Sequence, residues 1–252
     1  MNEAILVTAG LVFARMGGLL LGLPIFSAAG TPKLAVVFGA LGLTWVIAPT
    51  LPIVAVPDDP GPLVLAVISE LSLGLMLSLS VMAVFAAMAF ASELMSMQMG
   101  LVMASLFNPL QKQTSGPVGT LATWVSGMLF LGAGLHLRCV EAVGASFAWV
   151  PPGELSLPTA GVATVIGAVG SMFSLGLQLA APLLAMVFMI NVLVAVLARL
   201  APRMNVFFSL GMTLTSGVGL LMLAVALPWL LMAHRAALED AVRGVAQIFS
   251  GM

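Results

Sequence analysis

Long apolar runs, separated by short breaks that contain proline or polar residues, dominate the pattern along the chain. A membrane-spanning helix needs about 20 mostly apolar residues, and proline ends helices because it lacks an amide proton and clashes with the preceding turn. The pattern therefore predicts helical segments over residues 4–29, 34–56, 63–91, 119–148, 155–198 and 206–233, with a polar tail from His234 to Met252.

The fifth segment has no charged residue between Leu155 and Ala198. As one helix it would measure about 66 Å, roughly twice the hydrocarbon core of a bilayer. We expect Pro158 to start this helix and Pro182 to kink it. The alternation with period two that a membrane β-barrel requires does not occur in these runs. The chain is therefore predicted to be a single all-α domain over residues 1–252.

Composition indicates whether this domain is soluble or lies in a membrane. The chain is 62% hydrophobic and 7% charged, whereas soluble domains carry about 25% charged residues. So few charges cannot cover a soluble particle, and we predict an integral membrane protein in contact with lipid. A net charge of −1 gives no basic surface for nucleic acid. Because Glu3 stands where a signal peptide has Lys or Arg, the first run is expected to be retained.

Basic residues in short loops predict the orientation of the helices, because they favour the cytoplasmic side. The loops after the first, third and fifth segments carry more of them, which predicts that both termini lie outside the cytoplasm. The basic residues are Lys33, Lys112, Arg199 and Arg203 on the cytoplasmic side, and Arg235 and Arg243 on the other. A cytoplasmic turn is expected at Arg199, Pro202, Arg203 and Asn205, because proline breaks the helix there.

Charged residues inside or beside apolar runs are candidate functional residues, because a charge at the bilayer centre costs about 2.5–3.5 kcal/mol. These candidate buried charges are expected to face protein, a partner or water rather than lipid. One interpretation is a relay or conduit. The other is mutual pairing, of Arg15 with Glu70 or of Arg138 with Glu141. The candidates are Arg15, Glu70, Glu93, Arg138 and Glu141.

Glycine and methionine form two further patterns. The pair Gly18-xxx-Gly22 predicts that helices approach one another closely. Methionines crowd just before a polar stretch, and because methionine is flexible they could form a deformable seal. The alternative is an ordinary apolar core. The residues of this candidate seal are Met95, Met97, Met99 and Met103.

Enzyme motifs are weak in this chain. Ser126 and Ser216 each precede a glycine in an apolar segment, but an intramembrane serine protease needs a histidine base on another helix. His136, the only histidine expected at membrane depth, is predicted on the same helix as Ser126. Helix packing explains the Ser-Gly pairs better. We expect no catalytic residue, cofactor or metal site.

The stretch FSLGLQLAAPLLAMVFMINVLVAVLARLAPRMNVFFSLGMTL (173–214) is more specific. It resembles the C-terminal half of the FliR family of flagellar biosynthetic proteins and of its counterparts in virulence type III secretion. The residues that meet the family pattern there are Asn191, Arg199, Pro202, Asn205, Val206 and Phe207. Earlier matches are Arg15 with Pro24 and Pro32, Glu70 with Gly74, Gln98 and Gly100 with Asn108-Pro109, and Gly134 and His136 with Ser146 and Pro151.

The resemblance implies a core subunit of the flagellar export gate, located in the bacterial inner membrane within the flagellar basal body. One copy would join FliP-like and FliQ-like subunits in a closed helical assembly of kinked hairpins around a pore. FlhB-like and FlhA-like export proteins and unfolded flagellar substrates are further implied partners, and no cofactor is implied. The alternatives are a virulence type III subunit and a secondary transporter, which would also bury charges and break helices.

Residues 106–116 are a candidate plug of that pore. The segment is polar and is broken by Pro109 and by Gly116 with Pro117, which at membrane depth is tolerated only inside protein or beside water. The resembled family also places a closing loop here. The alternative is an ordinary cytoplasmic connection. The plug residues are Leu106, Phe107, Asn108, Pro109, Leu110, Gln111, Lys112, Gln113, Thr114, Ser115 and Gly116.

Overall fold

The computed structural model describes residues 3–27, 31–56, 59–101, 116–155, 159–200 and 211–250. Almost all of them lie in helices, and no β-strand occurs within these ranges. The predicted all-α membrane fold is confirmed. A bilayer explains this choice, since hydrocarbon offers no water to unpaired backbone groups and a helix pairs its own.

Prolines set the boundaries of the N-terminal helices. Pro24 follows α1 almost directly and opens α2, Pro32 precedes α3, and Pro60 is the first residue of α4. At a first helical position the missing amide proton of proline is no loss, and its fixed φ suits the helix. The helices are α1 (Glu3–Gly22), α2 (Pro24–Ser27), α3 (Lys33–Ile47), which continues into a short 3₁₀ turn (Ala48–Thr50), and α4 (Pro60–Gln98).

The helix predicted over residues 119–148 is broken in two. The two parts are bent by 61° relative to each other, and Gly134 between them has a φ of 67°. This left-handed conformation is accessible to glycine at little cost, and it ends the helical register. The helices of this half are α5 (Pro117–Gly132), α6 (Leu135–Trp149), α7 (Thr159–Leu200) and α8 (Met212–Ser250).

α4 runs past residue 91, where its sequence predicted an end, to Gln98. Its C-terminus is a Schellman motif with Gly100 in the left-handed region, at a φ of 72°. The Leu101 amide donates to the Ser96 carbonyl (3.0 Å), and the Gly100 amide donates to the Met97 carbonyl (3.1 Å). These two bonds satisfy carbonyls that the helix end leaves free. The methionine-rich segment therefore begins inside α4.

α8 also exceeds its predicted length, so the prediction of a polar tail from His234 is wrong for the residues up to Ser250. No glycine or proline interrupts residues 229–243. Arg243 pairs with Glu239 at 3.5 Å and with Asp240 at 3.2 Å, at helical spacings of four and three residues. Such pairs support a helix whose outer side is polar.

Five of the described helices are long and apolar enough to cross a membrane, or six if the bent pair α5–α6 is counted as one span. These spans correspond to the six predicted segments. α7 alone has 42 residues, which is about 63 Å at 1.5 Å per residue. It is twice as long as one crossing of the hydrocarbon core requires.

Contacts group the chain into two compact units. The first unit comprises Met1–Val84, Phe130–Gly170 and Leu238–Met252, and the second comprises Phe85–Leu129 and Ser171–Ala237. The first has a core from α1, α4 and α6, and the second has a core from α4, α5, α7 and α8. The single domain expected over 1–252 stays a prediction.

Glycines bring α1 and α4 of the first unit into backbone contact. A Cβ at Gly18 would lie 2.5 Å from a backbone carbonyl of α4, and a Cβ at Gly74 would meet the carbonyl of Arg15. Gly22, one turn further along α1, faces the Ser78 side chain in the same way. The close helix approach predicted from Gly18-xxx-Gly22 is confirmed.

Replacing Gly74 by Ala is expected to destabilise the chain by about 1–3 kcal/mol, because the added methyl group meets backbone and forces the helices apart. The measurement is the fraction of full-length protein in membranes that survives limited proteolysis. Gly17→Ala is the matched control, because a Cβ at Gly17 would meet nothing within 4 Å. Equal protease resistance of the two variants would contradict the expectation.

Candidate functional site

Arg15 of α1 and Glu70 of α4 form a fully buried ion pair. The Arg15 Nε lies 2.5 Å from the Glu70 Oε2, and both side chains are 0% exposed. Both residues lie in predicted apolar runs, and their mutual pairing was one of the two interpretations of these charges. The pairing is confirmed.

The two other nitrogens of the Arg15 guanidinium bind α6 and the residue that follows it. Nη1 donates to the Ser146 hydroxyl, and Nη2 donates to the Val150 carbonyl, each at 2.9 Å. The guanidinium carbon also lies 4.0 Å from the centroid of the Phe147 ring, within the range of a cation–π contact. Arg15 thus fixes both the position and the rotation of α6.

The remaining oxygen of Glu70 is occupied as well. Its Oε1 accepts a hydrogen bond from the Gly153 amide at 3.0 Å. Gly153 has a φ of 87°, where side-chain-bearing residues are strained, and a Cβ there would lie 3.3 Å from the Val54 side chain. We name Arg15, Glu70, Ser146, Val150 and Gly153 the Arg15 network.

The Arg15 network gives a hydrogen-bond partner to both carboxylate oxygens and to each of the three guanidinium nitrogens. Bringing two charges out of water costs several kcal/mol per ion, and only good geometry with additional hydrogen bonds repays it. This arrangement therefore holds α1, α4 and α6 together, and it favours the pairing interpretation over a relay.

The sequence did not connect Ser146, Phe147, Val150 and Gly153 to Arg15. Two of these contacts use backbone atoms, which leave no side-chain signature. The available signal was Ser146 on the apolar face of a helix, together with a glycine directly after Pro151-Pro152. A buried polar side chain on such a face needs a partner.

The other candidate charges behave differently. Glu93 is partly buried, whereas Arg138 and Glu141 are exposed, and no ion pair joins these two in the described part of the chain. The predicted pairing of Arg138 with Glu141 is therefore wrong within the described residues, and the expectation that both face protein, a partner or water stays a prediction. Neither side chain is buried within the chain itself. The reason is the rotation of α6, whose opposite face, with Val143 and Ser146, points to the core.

The methionines divide according to the face of α4 on which they lie. Met95 and Met99 are four residues apart and are buried in the core of the second unit, whereas Met97 is 56% exposed. Met103 lies outside the described residues. In this chain Met95 and Met99 belong to an apolar core, and a sealing role stays a prediction.

Met99 contacts α8 closely. The Ser216 hydroxyl donates to the Met99 carbonyl at 2.6 Å, and a Cβ at Gly219 would lie 2.5 Å from the Met99 side chain. Ser216 and Gly219 therefore serve helix packing, whereas a Cβ at Gly217 of the predicted Ser216-Gly217 pair, or at Gly127 of the Ser126-Gly127 pair, would meet nothing within 4 Å. In the same unit, a cleft of about 260 Å³ is lined by Met88, Met95 and apolar residues of α5 and α8.

Two predictions about the histidines are wrong, namely that His136 shares a helix with Ser126 and that it is the only histidine at membrane depth. His136 is separated from Ser126 by the bend, so the two do not share a helix. His234 is fully buried, edge-on to Phe85 at 6.2 Å, and neither of its ring nitrogens has a hydrogen-bond partner among the described residues. The Ser126 hydroxyl is likewise buried without a partner in the part of the chain that the structure describes. Within the described residues no group of three His, Cys, Asp or Glu could hold a metal ion.

Two predicted sites fall largely outside the described residues. Residues 106–115 of the candidate plug do so, and only Gly116 is described, where a Cβ would lie in tight contact with the Ser96 hydroxyl at 3.3 Å. Of the expected cytoplasmic turn, Arg199 lies in the last turn of α7. Pro202, Arg203 and Asn205 lie outside the described residues.

Comparison with known families identifies the class of protein. The model of the bacterial export proteins, family 1, matches residues 6–241. The chain belongs to this family. The resemblance to the FliR family that its motifs indicated is thereby confirmed.

Individual members of the bacterial export proteins show the same relationship. The chain is 30% identical to the flagellar biosynthetic protein FliR of Pectobacterium carotovorum subsp. carotovorum over 218 residues, covering 86% of this chain and 82% of the relative. It is 28% identical to FliR of Escherichia coli (strain K12), over 81% and 78% of the two chains. It is 31% identical to the Yop proteins translocation protein T of Yersinia pestis, over 66% and 64%. These likenesses are those of a type III export component.

Removing one partner of the Arg15–Glu70 pair is expected to cost this export protein about 3–5 kcal/mol, because the other charge stays buried and uncompensated. Arg15→Met and Glu70→Leu should each lower the amount of protease-resistant protein in membranes. The double variant Arg15→Met/Glu70→Leu should recover part of it, since no buried charge remains.

Glu154→Gln is the control for this measurement, because Glu154 is exposed and lies beside the Arg15 network without belonging to it. It should behave like the unaltered chain. Wild-type accumulation of both single variants would show that the ion pair does not stabilise the fold.

Proposed function

We propose that the chain is a core subunit of the flagellar type III export gate in the bacterial inner membrane, within the flagellar basal body. With FliP-like and FliQ-like subunits it would form the closed pore through which unfolded flagellar proteins are secreted. FlhB-like and FlhA-like proteins would be further partners. The observation that carries the proposal is the family match over residues 6–241, together with flagellar relatives that span most of the chain.

The exposed surface of the chain supports an assembled state. In the most apolar stretch of α3 only 17% of the residues are buried, and in that of α8 only 11%. Trp45 on α3 is 84% exposed. Lipid covers apolar side chains of this kind, and so do neighbouring subunits. Helices as long as α7 extend beyond one bilayer crossing, and the excess length needs protein around it.

A virulence type III subunit is the second candidate. The likeness to the Yop proteins translocation protein T supports it, at 31% identity over 66% of this chain. FliR of Pectobacterium carotovorum matches 86% of the chain at 30% identity. The greater coverage favours the flagellar system. Family membership also favours export over the secondary transporter that the buried charges alone would permit.

Co-expression tests the proposed function. The full chain, carrying an affinity tag, is expected to co-purify with FliP-like and FliQ-like subunits of the same organism, and deletion of its gene should abolish both motility and secretion of flagellar subunits. Produced without these partners, the chain should be degraded or aggregate, because exposed apolar faces then lack cover. A monodisperse, long-lived monomer in mild detergent that binds neither subunit would overturn the proposal.

We further propose that residues 106–116 plug the pore. The support is the sequence, in which polar side chains and helix-breaking Pro109 stand between two apolar helices. In the closed state Gln111, Gln113 and Thr114 would bond to neighbouring backbone, with Met95, Met97, Met99 and Met103 sealing the closure. The turn at Arg199, Pro202, Arg203 and Asn205 would lie at the cytoplasmic entrance.

Deleting residues 110–114 is expected to leave the complex assembled but leaky, because the closed state then loses the segment that fills the pore. The measurement is uptake of a small impermeant dye, and ion conductance, across the inner membrane of cells that carry the assembled complex. Substituting Lys112 by Gln alone serves as the control and should not open the pore. Unchanged conductance in an assembled deletion mutant would refute the plug.

A further inference from the structure

α6 presents a second face that the Arg15 network leaves free. Its inner face, with Cys139, Val143 and Ser146, is buried, and Ser146 is bound to Arg15. Because that bond fixes the rotation of the helix, the direction of the outer face is fixed as well. The outer face carries Leu137, Arg138, Glu141, Ala145 and Trp149, which we name the outer stripe of α6.

The outer stripe combines large apolar side chains with charges. Leu137 is 58% and Trp149 is 51% exposed, and Arg138 and Glu141 are exposed between them. Tryptophan and arginine are the residue types that most often dominate the binding energy of protein interfaces. A face that only meets hydrocarbon would not carry two charges, since each costs about 2.5–3.5 kcal/mol at the bilayer centre.

The stripe borders a groove of about 300 Å³ within the first unit, lined by Arg138, Glu141, Ala142, Ala145, Val242 and Arg243. Ala142 and Ala145 are the two small residues of its lining, and they leave space beside the charged side chains. Arg243 is already neutralised by Glu239 and Asp240 on its own helix.

Arg138 and Glu141 lack such neutralisation. Neither side chain has a hydrogen bond or ion pair among the described residues. They are three residues apart on one helix, a spacing at which side chains are neighbours, and still they do not pair. One free cation and one free anion are therefore presented side by side, in a pattern that a complementary surface can recognise.

We propose that the outer stripe of α6 and its groove are the docking surface for a helix of a different subunit of the export apparatus. The partner helix presents an acidic side chain to Arg138, a basic side chain to Glu141 and apolar side chains to Leu137 and Trp149. Charge complementarity of this kind fixes partner and register more than it adds affinity. The inference rests on the proposed function in one respect, namely that the chain works among other subunits.

Charge substitution tests the complementarity. Arg138→Gln and Glu141→Gln are each expected to lower recovery of the partner subunits roughly tenfold, which corresponds to about 1.4 kcal/mol, while the chain itself stays protease-resistant. Asp59→Asn is the matched control, since Asp59 is exposed and lies outside α6. The swap Arg138→Glu/Glu141→Arg should bind as poorly as the single variants. Full recovery with the swap would show that the two residues pair only with each other, and would overturn the proposal.

Photo-crosslinking identifies what covers the stripe. A photoreactive residue at Ala145, in complexes assembled in native membranes, is expected to link to a different polypeptide. Linkage to a second copy of this chain, to lipid alone, or to nothing in a water-accessible site would each overturn the proposal.

Co-purification with the wild-type chain separates failure of the docking surface from failure of the proposed function. If the partners are recovered equally with all α6 variants, the docking surface fails and the proposed function stands. If the wild-type chain recovers no export subunit, the proposed function fails, and the crosslink alone decides whether α6 docks another protein.

Discussion

The fold of the first unit depends on removing the charges of Arg15 and Glu70 from water. Neither charge is tolerated in an apolar interior unless its partner and its remaining hydrogen bonds are in place. The Arg15 network meets this requirement from separate parts of the chain, namely α1, α4, α6 and the turn at Gly153. Glycine makes the geometry possible. Gly74 lies one helical turn after Glu70 and touches the carbonyl of Arg15, so the close approach of the backbones and the ion pair are parts of one contact.

This constraint also sets the orientation of surfaces that the ion pair does not touch. Since Ser146 and Val150 bind Arg15, α6 cannot rotate without breaking two hydrogen bonds. Its outer stripe is therefore presented in one direction, with charges that the unit does not neutralise itself. A pre-organised surface loses little conformational freedom when a partner binds, which favours affinity. The buried network and the exposed stripe are thus two consequences of one helix rotation.

Sequence predicted the features that depend on composition and on single residues. The apolar runs predicted the membrane spans, and the prolines predicted most of the helix starts. The two glycines of α1 predicted its close contact with another helix. The ion pair followed from the cost of unpaired charge. The sequence did not predict features that depend on the rotation of a helix or on hydrogen bonds to backbone atoms. Arg138 and Glu141 have the spacing of a pair, yet the face they occupy is decided by Ser146 on the other side of the helix. The bend at Gly134 and the acceptor at Val150 involve φ angles and carbonyls, for which a residue name is weak evidence.

The two units differ in their central contacts, a buried ion-pair network in the first and an apolar core with a cleft in the second, and this difference bears on where the chain could change its conformation. In the first unit every polar atom of the central ion pair is bonded. Among the described residues both units contain buried polar atoms without a hydrogen-bond partner, at Ser69, Ser80 and His136 in the first and at Ser126 and His234 in the second. The core of the second unit is built mainly from methionine, alanine, leucine and valine around an apolar cleft. A satisfied network resists rearrangement because each movement exposes a charge. A methionine-rich core with a cleft loses less when it repacks, because its contacts are non-directional and its side chains are flexible. If an export gate must open without losing its fold, the first unit has the physical character of the fixed part, and the second has that of the part that adapts.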